Sequence, residues 1–159
     1  MDDEIKFIQA ESEAHIESAR SLFKEYSDTL GLDLCFQNFQ KEVAELPRGY
    51  APPDGRLLLA FLDEQVAGCV ALRKIEDGTS EMKRLYVKPE FRGKGIGRKM
   101  AVAVVEEARR IGYARIRLDT LPSKMAEAIR VYRWLGFREI GPYYSNPFDG
   151  VLFMELSLQ

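Results

Sequence analysis

Residues 92–97, Arg-Gly-Lys-Gly-Ile-Gly, constrain this chain more than any other stretch. The segment over 81–87 reads as a strand running into them, and an amphipathic helix over 97–111 runs out. Glycines at alternate positions, Gly93, Gly95 and Gly97, allow positive φ and close approach of a ligand to the backbone. The helix that follows offers unpaired N–H groups and the positive end of its dipole, which suit an anion. Arg92, Lys94, Arg98 and Lys99 place positive charge around the same turn. A phosphorylated ligand is the natural guest, although a glycine-rich turn before a helix can also be only a turn.

Known phosphate loops narrow the choice. A Walker-type loop needs Gly-x-x-x-x-Gly-Lys followed by Ser or Thr, and no such register exists here. The dinucleotide fingerprint needs Gly-x-Gly-x-x-Gly; Gly95 and Gly97 fit, but Met100 occupies the third position. The pattern that survives is Arg-x-x-Gly-x-Gly at Arg92, Gly95 and Gly97.

Periodicity supplies the surroundings. Strands are expected over 5–9, 56–62, 65–73, 81–87, 115–119, 137–140 and 151–158, and helices over 12–30, 33–46, 97–111 and 124–135. The unbroken apolar run over 56–62 suits a strand covered on both faces. The strand–helix–strand order across 81–119 favours a parallel pair. The 159 residues suit a single domain spanning 1–159, and the fold class is mixed αβ around a central sheet. A net charge of −2 argues against a dedicated nucleic-acid binder. Between Lys83 and Lys99 stand seven basic residues and one acid, Glu90, a cluster that a polyanionic cofactor explains. Cys35 and Cys69 are too few for a disulfide framework and read as free buried thiols. No signal peptide or membrane-length apolar run is legible, so a cytoplasmic protein without a membrane partner is expected.

The loop resembles the pyrophosphate-binding loop of the GCN5-related N-acetyltransferases (GNAT), and the element order follows that superfamily over nearly the whole chain. A second stretch, Val131-Tyr132-Arg133-Trp134-Leu135-Gly136-Phe137, resembles the family's helix ending in aliphatic-Tyr-x-x-Leu-Gly-Phe. The bacterial small-molecule acetyltransferases are similar also in Glu-Met-Lys-Arg-Leu-Tyr-Val before the loop. The resemblance implies a mixed, largely antiparallel sheet of about six or seven strands flanked by about four helices. It implies acetyl-CoA as co-substrate and, as acceptor, a primary amine of a small molecule or amino-acid-like compound. The main chain of Leu85, Tyr86 and Val87 would pair with the pantetheine arm, and Arg92, Gly93, Lys94, Gly95, Ile96, Gly97 and Arg98 would hold the pyrophosphate. One departure is Met125, where many relatives carry an asparagine.

By the same resemblance Tyr132 is the general acid that protonates the leaving thiolate, against the plainer reading of a packed aromatic, which also suits Trp134 and Phe137. Glu81 stands where some relatives carry a glutamate base, though a solvated strand-end acid, a water chain, or Glu81 acting with Tyr143 or Tyr144 would equally serve. His15 reads as a surface residue of the first helix, and Asp119 as either a site residue or a turn cap. No metal-ligand spacing is present, and no metal is expected. A homodimer through the C-terminal strand is compatible with the family. The alternative to an enzyme is an acyl-CoA-binding sensor without turnover.

Overall fold

The computed structural model describes residues 4–31 and 38–159. Seven strands form one sheet in the order β1-β2-β3-β4-β5-β7-β6. They are β1 (Ile5–Gln9), β2 (Arg56–Leu62), β3 (Gln65–Glu76), β4 (Thr79–Val87), β5 (Arg115–Thr120), β6 (Arg138–Ile140) and β7 (Leu152–Ser157). The helices are α1 (Glu13–Leu30), α2 (Phe39–Ala44), α3 (Ile96–Ile111) and α4 (Ala126–Leu135). Every neighbouring pair is antiparallel except β4 with β5, which is parallel as the crossover through α3 requires.

Period-2 alternation places a hydrophobic core on each face. In β2, Leu57 and Leu59 pack toward α1 and α2 with Ala19, Leu22, Phe23 and Val43. Leu58, Ala60 and Leu62 pack toward α3 and α4 with Met100, Val104, Ile129 and Phe137. That two-sided burial is why the segment reads as one continuous apolar run. The turn into β3 uses Asp63 and Glu64 at positive φ (49° and 72°), the mirror-image turn that a hairpin's twist favours, without the usual glycine.

Ser12 caps α1 by accepting a hydrogen bond from the His15 amide, and Gly31 closes it in the left-handed conformation. The expected 33–46 helix is shorter, Phe39–Ala44; residues 33–37 and Cys35 lie outside the described residues. Cys69 is a free, buried thiol. The C-terminal β7 lies between β5 and β6 rather than at the sheet edge. Among the described residues no helix is long and apolar enough to cross a membrane.

Candidate active site

The site is set by a fault in the sheet. β4 and β5 pair only from Thr79↔Arg115 to Glu81↔Arg117, and past Glu81 no strand among the described residues pairs with that edge of β4. Just beyond, Arg84 takes φ +60°, unusual for a residue with a side chain. Cys69 lies opposite Tyr86 and Ala71 opposite Lys83, so Arg84 and Leu85 share the single partner Val70. This is a β-bulge, which bends a strand and increases its twist. It also defeats alternation: Lys83 and Arg84 both project toward the α1/α2 side, and Leu85 joins the opposite core.

The buried Arg84 is held in that conformation by its contacts. Its Nε and Nη2 donate to Glu42 at 2.9 and 3.2 Å, and its guanidinium lies over the rings of Phe39 and Tyr26 at 5.1 and 5.8 Å. Burial opposes the charge, but Glu42 outweighs it and keeps the group above the ordinary arginine range. On the other side of the bulge β3 must come very close. A Cβ on Gly68 would stand 2.4 Å from the Tyr86 carbonyl oxygen. Glycine is the residue that fits there.

A cleft of about 570 Å³ opens between the free edge of β4, the glycine turn and the start of α4. Leu85, Tyr86 and Val87 line it, as do Arg92, Gly93, Gly95, Ile96, Gly97 and Arg98; Lys94, expected with them, does not. Gly95 is the N-cap of α3 at φ +77°, with no side chain capping the helix. The first helical bond runs from the Lys99 amide to the Gly95 carbonyl at 3.1 Å, so the amides of Ile96, Gly97 and Arg98 precede the helix's own acceptors. Gly97 lies within α3 rather than at positive φ. Open space faces the Cβ positions of Gly93 and Gly95. These amides, the dipole and the Arg98 guanidinium make a donor set that fits a pyrophosphate. Arg92 Nε donates to the Val87 carbonyl at 3.0 Å, tying the turn to β4. Arg98 lies 3.5 Å over the ring of Trp134, which is 57% exposed and not the packed aromatic its sequence position allowed.

A smaller chamber of about 60 Å³ adjoins the cleft, and Tyr26, Leu30, Leu85 and Met125 line both. Met125 therefore stands at the junction, at the N-cap of α4, without a side-chain cap bond. Tyr132 lines the chamber, and its hydroxyl has no hydrogen-bond partner among the described residues. Burial, with smaller contributions from Tyr26 and Asp119, pushes this phenol well above the ordinary tyrosine range. Its ring is tilted against the buried Phe137 at 5.7 Å.

Asp119 also lines the chamber and accepts hydrogen bonds from Tyr144 Oη and, at 3.3 Å, from Asn146 Nδ2. Glu81 lines neither cavity. It is 1% exposed, accepts from Arg73 Nε at 2.8 Å and from Tyr143 Oη, and lies 3.9 Å from Lys83 Nζ. Burial favours its neutral form, but Lys83, Arg73 and the hydrogen bonds from Tyr143 and Arg73 outweigh it and hold the carboxyl below its usual range. His15 is remote, half-buried with its ring edge-on to Phe61.

The polar chamber residues to which the sequence argument gave no role there include Tyr26, Lys83, Arg84 and Thr120. In the sequence Lys83 and Arg84 counted as phosphate-directed charge; both are buried away from the glycine turn. Two adjacent cations in a strand whose residues are nearly all buried were the available signal.

The sequence matches the profile of the acetyltransferase (GNAT) family over residues 16–137, and the chain belongs to that family. An uncharacterized N-acetyltransferase of Schizosaccharomyces pombe is 38% identical over 145 residues, covering 90% of this chain and 88% of that protein. The N-acetylaspartate synthetase of Danio rerio is 38% identical over 102 residues, 63% of this chain and 36% of that protein. A GNAT-family acetyltransferase from Staphylococcus aureus has the same fold, with TM-score 0.80 at 21% identity over 98% of this chain and all of that one. A Salmonella typhimurium structure described as an acetyltransferase with its cofactor acetyl-CoA has TM-score 0.67 at 22% identity, covering 98% and 94%. The protein is thus an N-acetyltransferase of mixed α+β fold.

Proposed function

We propose that this protein transfers an acetyl group from acetyl-CoA directly to a primary amine of a small molecule, with both substrates bound together in one domain of the cytoplasm. The observation that carries this reading is the union of an anion-binding cleft with a chamber walled by an unpartnered phenol. Acetyl-CoA supplies an activated acyl thioester. The free main-chain edge at Leu85, Tyr86 and Val87 would pair with its pantetheine arm, and the turn from Arg92 to Arg98 would hold its pyrophosphate.

The chain's own groups then move protons. An ammonium must lose a proton before its nitrogen attacks. Glu81, kept ionised by Arg73 and Lys83, accepts that proton through a water relay, because the residue lines neither cavity. As the N–C bond forms and the C–S bond breaks, Tyr132 donates its hydroxyl proton to the sulfur, and the second proton shed by the acylated nitrogen restores the phenol. A main-chain N–H of β4 beyond the bulge stabilises the carbonyl oxygen. The chamber's small volume and the likeness to a synthetase named for N-acetylaspartate both favour a small acceptor.

Thermal unfolding with and without acetyl-CoA tests the cofactor half of this reading. Ligand at a hundred times its dissociation constant should stabilise the native state by about 2.7 kcal/mol. The gain should vanish in Gly95→Val, where a branched side chain cannot adopt the left-handed N-cap. No stabilisation of the wild type at saturating acetyl-CoA would refute it.

A further inference from the structure

We infer that Trp134 is a positioning residue for the cofactor: its indole holds the Arg98 guanidinium against the cleft, ready for the pyrophosphate of acetyl-CoA. The inference rests on the acetyltransferase reading above and adds a residue to which the helix motif around Tyr132 gives no role. Its starting point is an exposed aromatic. Trp134 is the one large apolar side chain that stands exposed among the described residues, in the last turn of α4, where its neighbours Ile129 and Tyr132 are buried. A single exposed apolar residue is ordinary and means nothing by itself. Its partner makes this one different. The Arg98 guanidinium carbon lies 3.5 Å from the indole centroid, whereas the other cations over rings in the described residues stand at 5.1 Å or more.

The remainder of Arg98 is uncommitted. It lines the cleft, yet among the described residues it makes no hydrogen bond and no ion pair. Nearby cations are placed otherwise. Arg92 gives its Nε to the Val87 carbonyl, Lys88 faces Glu25 and Glu90 at 3.4 and 3.9 Å, and Lys99 does not line the cleft. Stacking occupies the flat face of a guanidinium and leaves the N–H donors in its plane available, so one group can rest on an indole and bind an anion together. Without the ring, a long exposed side chain would lose rotamer freedom each time it ordered over a phosphate. With the ring, that ordering precedes the ligand, and preorganisation of this kind raises affinity. Trp134 itself does not line the cleft, so its effect on the ligand runs through Arg98.

Calorimetric titration of the full chain with acetyl-CoA tests this. Trp134→Ala should weaken binding about two- to fivefold, the scale of an exposed cation–π contact. Trp134→Leu, which keeps apolar bulk without a ring face, should match Trp134→Ala, while Trp134→Phe should recover part of the loss. A double-mutant cycle then separates direct from indirect action: once Arg98→Met has removed the guanidinium, Trp134→Ala should weaken binding no further. If Arg98→Met binds too weakly to titrate, the contrast between Leu and Phe at position 134 decides. An equal loss with and without Arg98, or a leucine that serves as well as phenylalanine, would overturn the inference. Unchanged affinity in Trp134→Ala would do the same, as would tighter binding, which would mean that the ring competes with the anion for the guanidinium. In all these cases acetyl-CoA binding by the wild type leaves the acetyltransferase reading standing; a wild type that binds none would refute both.

Discussion

A phenol can act as an acid only while it holds its proton. Burial of Tyr132 raises its pKa above the free value, so the residue remains protonated throughout the range in which amines become good nucleophiles. The expected pH profile of kcat therefore has no falling limb from Tyr132 below about pH 10, the ordinary tyrosine value. A limb near pH 9 that disappears in Tyr132→Phe would contradict this. Glu81 behaves in the opposite sense. Its folded-state pKa lies below the unfolded value, so its contribution to stability is present above about pH 4.3 and is lost as pH falls through the folded value. Chemical denaturation across that acid range should show wild-type stability falling steeply, and Glu81→Gln, already without the ionised carboxylate, should fall less. Parallel losses in the two proteins would remove Glu81 from the account.

At the scale of elements, the bulge at Arg84 and the narrow passage at Gly68 form one device. The bulge turns β4 away from β5, and Gly68 lets β3 follow it closely. A methyl at position 68 would strike a backbone carbonyl, so β4 must move. Gly68→Ala should cost about 1–3 kcal/mol, as other overpacked sites do, and should weaken acetyl-CoA binding because the displaced segment is the cleft wall. Denaturant midpoints and ligand titration read the two effects separately; unchanged acetyl-CoA affinity would show that the edge geometry is irrelevant to the cofactor. Little of this device was legible in the sequence. Alternation and helical periodicity located the main strands and helices because each buries a face against neighbours of ordinary geometry. The β3–β4 hairpin runs farther than expected, to Glu76 and from Thr79, since its terminal pairing depends on the partner strand rather than on apolar content. A bulge is likewise a relation between two strands, and one glycine within an apolar run does not announce it. The glycine turn was legible since its φ values and its place before α3 are local properties.

At the scale of the molecule, the sheet has two parts, β1–β4 and β5–β7–β6, joined by three residue pairs between β4 and β5. The site occupies the seam. One wall brings Lys83, Arg84 and the free edge of β4, and the other brings Asp119 and Thr120, while α4 supplies Tyr132 and the 142–149 loop supplies Tyr143, Tyr144 and Asn146. That assembly explains why family motifs pointed to the cleft and to Tyr132 but not to the rest of the chamber: its remaining walls come from separate elements with no shared sequence signature. The most direct measurement of the central claim is amine-dependent release of thiol from acetyl-CoA by the wild-type protein and by Tyr132→Phe. The account predicts release that requires an amine and falls by about 10²-fold or more in the variant, the scale of a lost general acid, while acetyl-CoA still binds. Binding of acetyl-CoA without thiol release for any amine, or equal release by both proteins, would contradict it.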